Sequence, residues 1–259
     1  MSVASCVRPA PFAAAPAAIA NAVVLAASIA AIITSGTACG GGGGTPRDAG
    51  PDTPIDTGMC GAGTFFTGEI VDWDSTEAKF CGVFNSSLTV RGQTAPADMS
   101  NPNGRFELCV AHQALAAVDV LHGTNQSQCT TPRDVYPVPA VLVAEQAVID
   151  AGGRFSARVM TQHRQDEMFG LIGTGYSAAK AQLVVHVDGP QRQVTIAAAH
   201  DTTQKFDGTT WAAGDTGADV FFPNVTPGMT QVTVAGRSVG ATTLTLQAGV
   251  YTYLTVLAN

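Results

Sequence analysis

From residue 64 onward, apolar and polar positions alternate with a period of two in short runs separated by turn-forming residues. Leu88 and Val90, then Phe106, Leu108 and Val110, fall on one side of their segments, as a half-buried strand requires. Between these two runs stands the turn cluster Ser100-Asn101-Pro102-Asn103-Gly104. Segments 65–71, 87–91, 105–110 and 117–121 are therefore predicted as strands. The same rhythm returns in 182–187, 193–197, 219–222, 231–234, 241–246 and 250–257, with Asp188-Gly189-Pro190 and Thr226-Pro227-Gly228 as turns. Short strands with a turn every 8–12 residues or so are the pattern of an antiparallel sandwich. The pattern predicts an all-β chain: two small antiparallel Greek-key β-sandwiches over 59–135 and 181–259. A bridge over 136–180 joins them. Within it, 155–159 reads as a further strand. Residues 161–171 read as a short helix capped by Thr161, with Met160, Arg164, Met168 and Leu171 along one stripe.

The N-terminus follows a different pattern. Residues 17–33 are apolar except for Asn21 and Ser28, and Arg8, Pro9, Pro11 and Pro16 come before them. A short apolar run behind a basic start and ahead of small residues is the layout of a secretory signal peptide. Next come Ser35-Gly36-Thr37-Ala38-Cys39 and a glycine run over 40–44. Small residues leading into a cysteine and then glycine resemble the lipobox of bacterial lipoproteins. The resemblance implies that a leader over 1–38 is removed and that Cys39 is acylated, as by palmitate, and becomes the new N-terminus. Membrane lipid is then the first partner. Gly40 after the cysteine implies the outer rather than the inner membrane, with the body periplasmic or surface-exposed. Residues 39–58, rich in glycine and proline, read as a tether with a reach of about 20–30 Å.

Charge and cysteine usage narrow the picture further. Beyond residue 38 the chain carries 12 basic against 20 acidic residues, a net charge of −8. That balance repels phosphate backbones, so no nucleic-acid partner is expected. Past the tether lie four cysteines, Cys60, Cys81, Cys109 and Cys129, and none occurs later. An even number in an exported chain predicts two disulfides, with three connectivities open. The gaps of 20 or more residues lack the Cys-x-x-Cys pairs of a structural zinc site, so no metal is expected there.

Motifs within two stretches, 64–123 and 181–258, carry a second resemblance. Gly68-Glu69-Ile70-Val71-Asp72, Asn103-Gly104-Arg105-Phe106-Glu107-Leu108, and Thr216-Gly217-Ala218-Asp219-Val220-Phe221 with Asn224-Val225-Thr226-Pro227-Gly228 are similar to the strand and turn motifs of carboxypeptidase regulatory-like domains. Those are transthyretin-like β-sandwiches, and the resemblance covers about half of the chain. It implies tandem sandwich modules.

No catalytic constellation stands out. His112, His122, His163, His186 and His200 form no His-x-x-x-His pair, and no Gly-x-Ser-x-Gly elbow or phosphate-cradling glycine loop occurs. His186 reads as an exposed residue of its strand. His200 and Asp201, as strand neighbours, are expected on opposite faces. Two acidic stretches, Asp72-Trp73-Asp74-Ser75-Thr76-Glu77 and the region of Asp207, Asp215 and Asp219, read as solvated turns, with a calcium site as the alternative. Trp73 and Trp211 fall in predicted loops and are the candidate ligand contacts, since a loop tryptophan can stack on a sugar. The expected function is a membrane-tethered structural or interaction module without catalysis or cofactor, whose partner is an envelope protein or a surface glycan. The alternative is a carbohydrate- or calcium-assisted binding module.

Overall fold

The computed structural model describes residues 60, 63–93, 97–122, 129, 135–136, 139–238 and 240–258, all within one compact unit, Asp52–Asn259. The leader over 1–38, Cys39 and the whole tether over 39–58 lie outside these residues. Among the described residues the alternating segments are strands of three sheets. The largest orders β11 (Trp211–Ala213), β10 (Gln204–Phe206), β13 (Asp219–Val225), β8 (Ala181–Asp188), β16 (Tyr251–Leu257), β6 (Ala140–Glu145), β5 (Leu115–Leu121), β2 (Ser87–Val90) and β3 (Asp98–Met99). A three-stranded sheet orders β4 (Arg105–Val110), β1 (Thr64–Asp72) and β7 (Phe155–Val159). A four-stranded one orders β12 (Thr216–Gly217), β9 (Arg192–Ile196), β14 (Gly228–Val234) and β15 (Thr242–Leu246).

The nine-stranded sheet is a middle layer with a core on each face. Leu142, Val184, Phe221, Tyr251 and Tyr253 pack with Phe66, Phe106 and Phe155 of the three-stranded sheet. The alternate residues Val141, Val143, Leu183, Val185, Val220 and Leu254 pack with Val194, Val232 and Leu244 of the four-stranded sheet. A sheet covered on both faces needs apolar residues at successive positions. That is why β6 and β16 read as near-continuous apolar runs while β14 and β15, covered on one face, alternate cleanly.

The all-β, sandwich-type chain expected from the pattern is what folds. Its pairing, however, runs across the expected segments. β6, in the expected bridge, lies between β5 and β16 in the middle sheet, and β7, also of the bridge, pairs with β1. Three pairings are parallel, β1 with β7, β16 with β6 and β16 with β8, where antiparallel neighbours were expected. Period-two alternation fixes which face is buried. It does not say which strand lies alongside.

Local signals were more direct. The turn ahead of β4 needs Gly104 at φ +74°, because a Cβ there would lie 2.1 Å from the Ile70 carbonyl oxygen. Thr161 caps α2 (Gln162–Ile172) by accepting a bond from the Arg164 amide at 3.2 Å, and Gly173 closes the helix in the left-handed region. The buried face of α2 is Gln165, Met168 and Phe169, whereas Leu171 is 77% exposed, so the expected stripe is corrected at its last position. A shorter helix, α1 (Gln146–Asp150), follows β6 directly. Among the described residues no helix is long and apolar enough to cross a membrane.

All four body cysteines pair, and the connectivity is Cys60–Cys109 and Cys81–Cys129, with Cα–Cα distances of 5.4 and 5.7 Å.

Candidate functional site

The two tryptophans, far apart in sequence, meet in the first core. Trp73 immediately follows β1 and is fully buried; Trp211 opens β11 and is half-buried. Their rings stack with centroids 3.8 Å apart and planes within 5°, while the ring of Phe221 meets Trp73 edge-on at 5.4 Å. Trp211 Nε1 donates to the Trp73 carbonyl at 3.3 Å. The expectation of two loop tryptophans open to a ligand is corrected for Trp73. Its flat faces are spent on internal aromatic contacts, which are more favourable than solvated surface for so large an apolar side chain.

Beside this stack runs an ionic chain that the sequence did not announce. Arg158 of β7 donates through Nε to Asp219 at 3.1 Å, and its Nη1 donates to the carbonyls of Trp73 and Ser75 at 3.3 and 2.5 Å. Its guanidinium lies over the Phe206 ring, 4.0 Å from the centroid. The other carboxylate oxygen of Asp219 is 2.8 Å from His186 Nδ1, across the β13–β8 pairing that places these residues opposite each other. His186 keeps 23% of its side chain exposed and Asp219 only 5%. His186 is thus corrected from a plain surface residue to the partly exposed end of a three-membered ionic chain.

Burial by itself would lower the His186 pKa. The charge and hydrogen bond of Asp219 outweigh it and leave the imidazole above its ordinary value. For Asp219 burial pushes upward, but His186 and Arg158 together hold its carboxyl below the usual range. A raised histidine pKa contributes stability that is fully present below about pH 6.5 and is lost as pH rises through the raised value. His122 has the opposite sign. Its ring is shut against Tyr136, lies 3.1 Å from the Ser86 hydroxyl, and is pushed down to about 4 by burial. The fold therefore loses stability at His122 as pH falls from about 6.5 towards 4. In an NMR titration of the imidazole protons, His186 is expected to titrate above 6.5 and His122 near 4. Asp219→Asn should lower the His186 midpoint, because burial is then opposed only by the weaker charge of Asp188. An unchanged His186 midpoint in that variant would refute the His186–Asp219 pair.

The remaining sequence candidates do not converge. Asp72 accepts the Tyr136 hydroxyl at 2.7 Å, Asp74 pairs with Arg164 at 3.0 Å, and Glu77 faces solvent. Asp207 accepts the Thr209 and Thr210 amides at 2.9 Å each, bonds that hold it at about 2, and Asp215 accepts from Gln193 at 2.8 Å. Among the described residues no three His, Cys, Asp or Glu side chains are grouped to hold a metal ion. His200 and Asp201 lie in the connection between β9 and β10 rather than on a strand. The Asp201 carboxylate is taken up by the Thr174 hydroxyl at 2.9 Å and the Asn224 amide at 2.7 Å.

A second buried ion pair was also missed by the sequence reading. Arg237 Nη2 reaches both oxygens of Glu145 at 2.8 Å, with side chains 2% and 8% exposed, and Thr242 donates to the same carboxylate. The available signal was a charge at the end of an otherwise apolar strand, Ala140–Glu145, since charges are almost never fully buried unless paired.

No family model and no curated protein matches the chain. Among solved structures it is similar at 9% identity to the Bacillus anthracis TIE protein, over 75% of this chain and 34% of that one, with a TM-score of 0.23. It is similar to the same degree, 9% identity and 75% coverage, to GBS52, the minor pilin of the Gram-positive pathogen Streptococcus agalactiae, covering 94% of that chain with a TM-score of 0.20. The chain thus spans about a third of the length of the first of these proteins.

Proposed function

We propose that this chain is an exported, lipid-anchored module of the cell envelope that acts by structure and interaction rather than by catalysis. The observation that carries the reading is the pairing of all four body cysteines into two disulfides, since such bonds persist outside the reducing cytosol. The leader and the small-residue approach to Cys39 supply the anchor, and acyl chains on that cysteine hold it at the bilayer. Gly40 beyond the cysteine favours the outer membrane. The charged groups nearest to a catalytic arrangement, His186, Asp219 and Arg158, are bonded chiefly to one another and to backbone carbonyls, which suits a brace better than a reaction centre. The regulatory-like motifs support a sandwich module of that type. Gly68 to Asp72 lie within β1, Gly104 turns into β4, and Thr226-Pro227 joins β13 to β14.

The anchor is tested by metabolic labelling with palmitate in cells. Label is expected in the native chain and absent from Cys39→Ser; label that survives the substitution refutes the anchor. The interaction role is tested by cross-linking on intact cells, where adducts with envelope components are expected.

A further inference from the structure

The four-stranded sheet is narrower than the sheet it covers. It ends at β15, which pairs with β14 from Gly228↔Leu246 to Val232↔Thr242 and has no second strand partner among the described residues. The middle sheet continues past that edge, leaving Leu115 and Ala117 of β5 only partly buried on the second-core side. Between the open edge and this shelf lies a hollow of about 390 Å³, floored by Ala117, Val141 and Val143. It adjoins a second hollow of about 360 Å³ beside Glu145 and Arg237, and the two share Leu115 and Thr243. Together they follow β15 along its whole length, roughly 17 Å for five residues.

We propose that this groove is the acceptor for one extended, uncharged strand of a partner polypeptide, which continues the four-stranded sheet across the bare part of the middle layer. The inference rests on the interaction role proposed above and assigns that role a surface. A free strand edge presents amide and carbonyl groups at strand spacing, and these specify an extended backbone rather than a compact surface. Open edges are ordinarily guarded by charge, proline or a bulge, yet β15 reads Thr-Thr-Leu-Thr-Leu with none of the first two. Charge selects the occupant. The groove's charged groups are closed into pairs, Arg91 with Asp119 at 3.0 Å towards one end and Glu145 with Arg237 at 2.8 Å at the other. Its floor is apolar, so a neutral strip runs along a body that carries 11 basic against 17 acidic residues beyond residue 58. A carboxylate or ammonium facing that floor finds no counter-charge, whereas alternating apolar side chains settle on Ala117 and Val141. Met229, 79% exposed at the rim, adds an unbranched side chain that adapts to whatever enters.

The test uses the mature protein and a fluorescent, end-blocked peptide of Gly228–Val234, an uncharged strand that already pairs with β15 from its other side. Anisotropy is expected to show saturable binding, weakened at least ten-fold by Ala117→Lys and by N-methylation of the peptide backbone. Amide exchange of the native protein should slow in β15 on adding peptide, which keeps the test decisive even where Ala117→Lys folds poorly. Failure to bind, or protection at another element, overturns the proposal. Concentration-dependent protection without peptide would assign the groove to a second copy, and concentration-independent protection to the chain's own residues; either outcome overturns it too. Envelope cross-links formed through other faces would sink the groove alone, whereas no cross-links at all would sink the interaction role beneath it.

Discussion

Replacing Glu145 by alanine is expected to lower the stability of the fold by about 3–5 kcal/mol, the range for a buried ion pair that loses one partner. The reason lies in what remains. The Arg237 side chain is 2% exposed, its Nη2 bonds to both Glu145 oxygens, and its Nε already has no partner. Without the carboxylate the guanidinium keeps its desolvation penalty and loses its compensation. The Thr242 hydroxyl and the Leu257 amide, which also donate to Glu145, lose their acceptor. The joint replacement Glu145→Leu with Arg237→Met should be far milder, because well-packed apolar residues often substitute for a buried pair without loss. Urea denaturation of the two variants measures the difference. A Glu145→Ala variant within about 1 kcal/mol of the native chain would show that water reaches the pair.

Removal of the Cys81–Cys129 bridge is expected to cost about 4 kcal/mol, from the chain entropy of a loop spanning 48 residues of separation. Cys60–Cys109, with a separation of 49, is of the same order. The loops overlap, so the double loss should fall short of the sum. The spread of the damage is the more telling measurement. Both bridges lie in the part of the chain that builds β1 to β5, and none is found in the part that builds β8 to β16. Two sandwiches strung in series would let the second survive the unstapling of the first. The shared middle sheet predicts otherwise, since β6 bonds to β5 on one side and to β16 on the other, and its two faces serve both cores. Amides of β14 are therefore expected to lose exchange protection together with those of β4 when the bridges are reduced. Protection that persists in β14 alone would count against a single cooperative unit.

The sequence by itself determined the kind of secondary structure and much of its punctuation. Leu88, Val90, Phe106, Leu108 and Val110 have nowhere favourable to go but one face of a strand, and the structure buries all five. Gly104 and Thr161 announced a turn and a helix start for local reasons, a left-handed backbone and an unpaired amide, and local reasons are readable without knowing the fold. The even set of cysteines announced two bridges in the same way, although not which ones.

Only the tertiary structure decided which residues meet. Trp73 finds Trp211 across 138 positions, Arg158 finds Asp219 across 61, and Glu145 finds Arg237 across 92. Nothing local to any of these residues marks its partner, which lies outside any window in which periodicity speaks. The same limit hid the middle sheet. A strand's alternation records the polarity on its two sides, and any apolar neighbour satisfies it. Choosing β16 as the partner of both β6 and β8 takes the whole chain at once, since that choice buries both faces of one sheet and closes two cores in the same step.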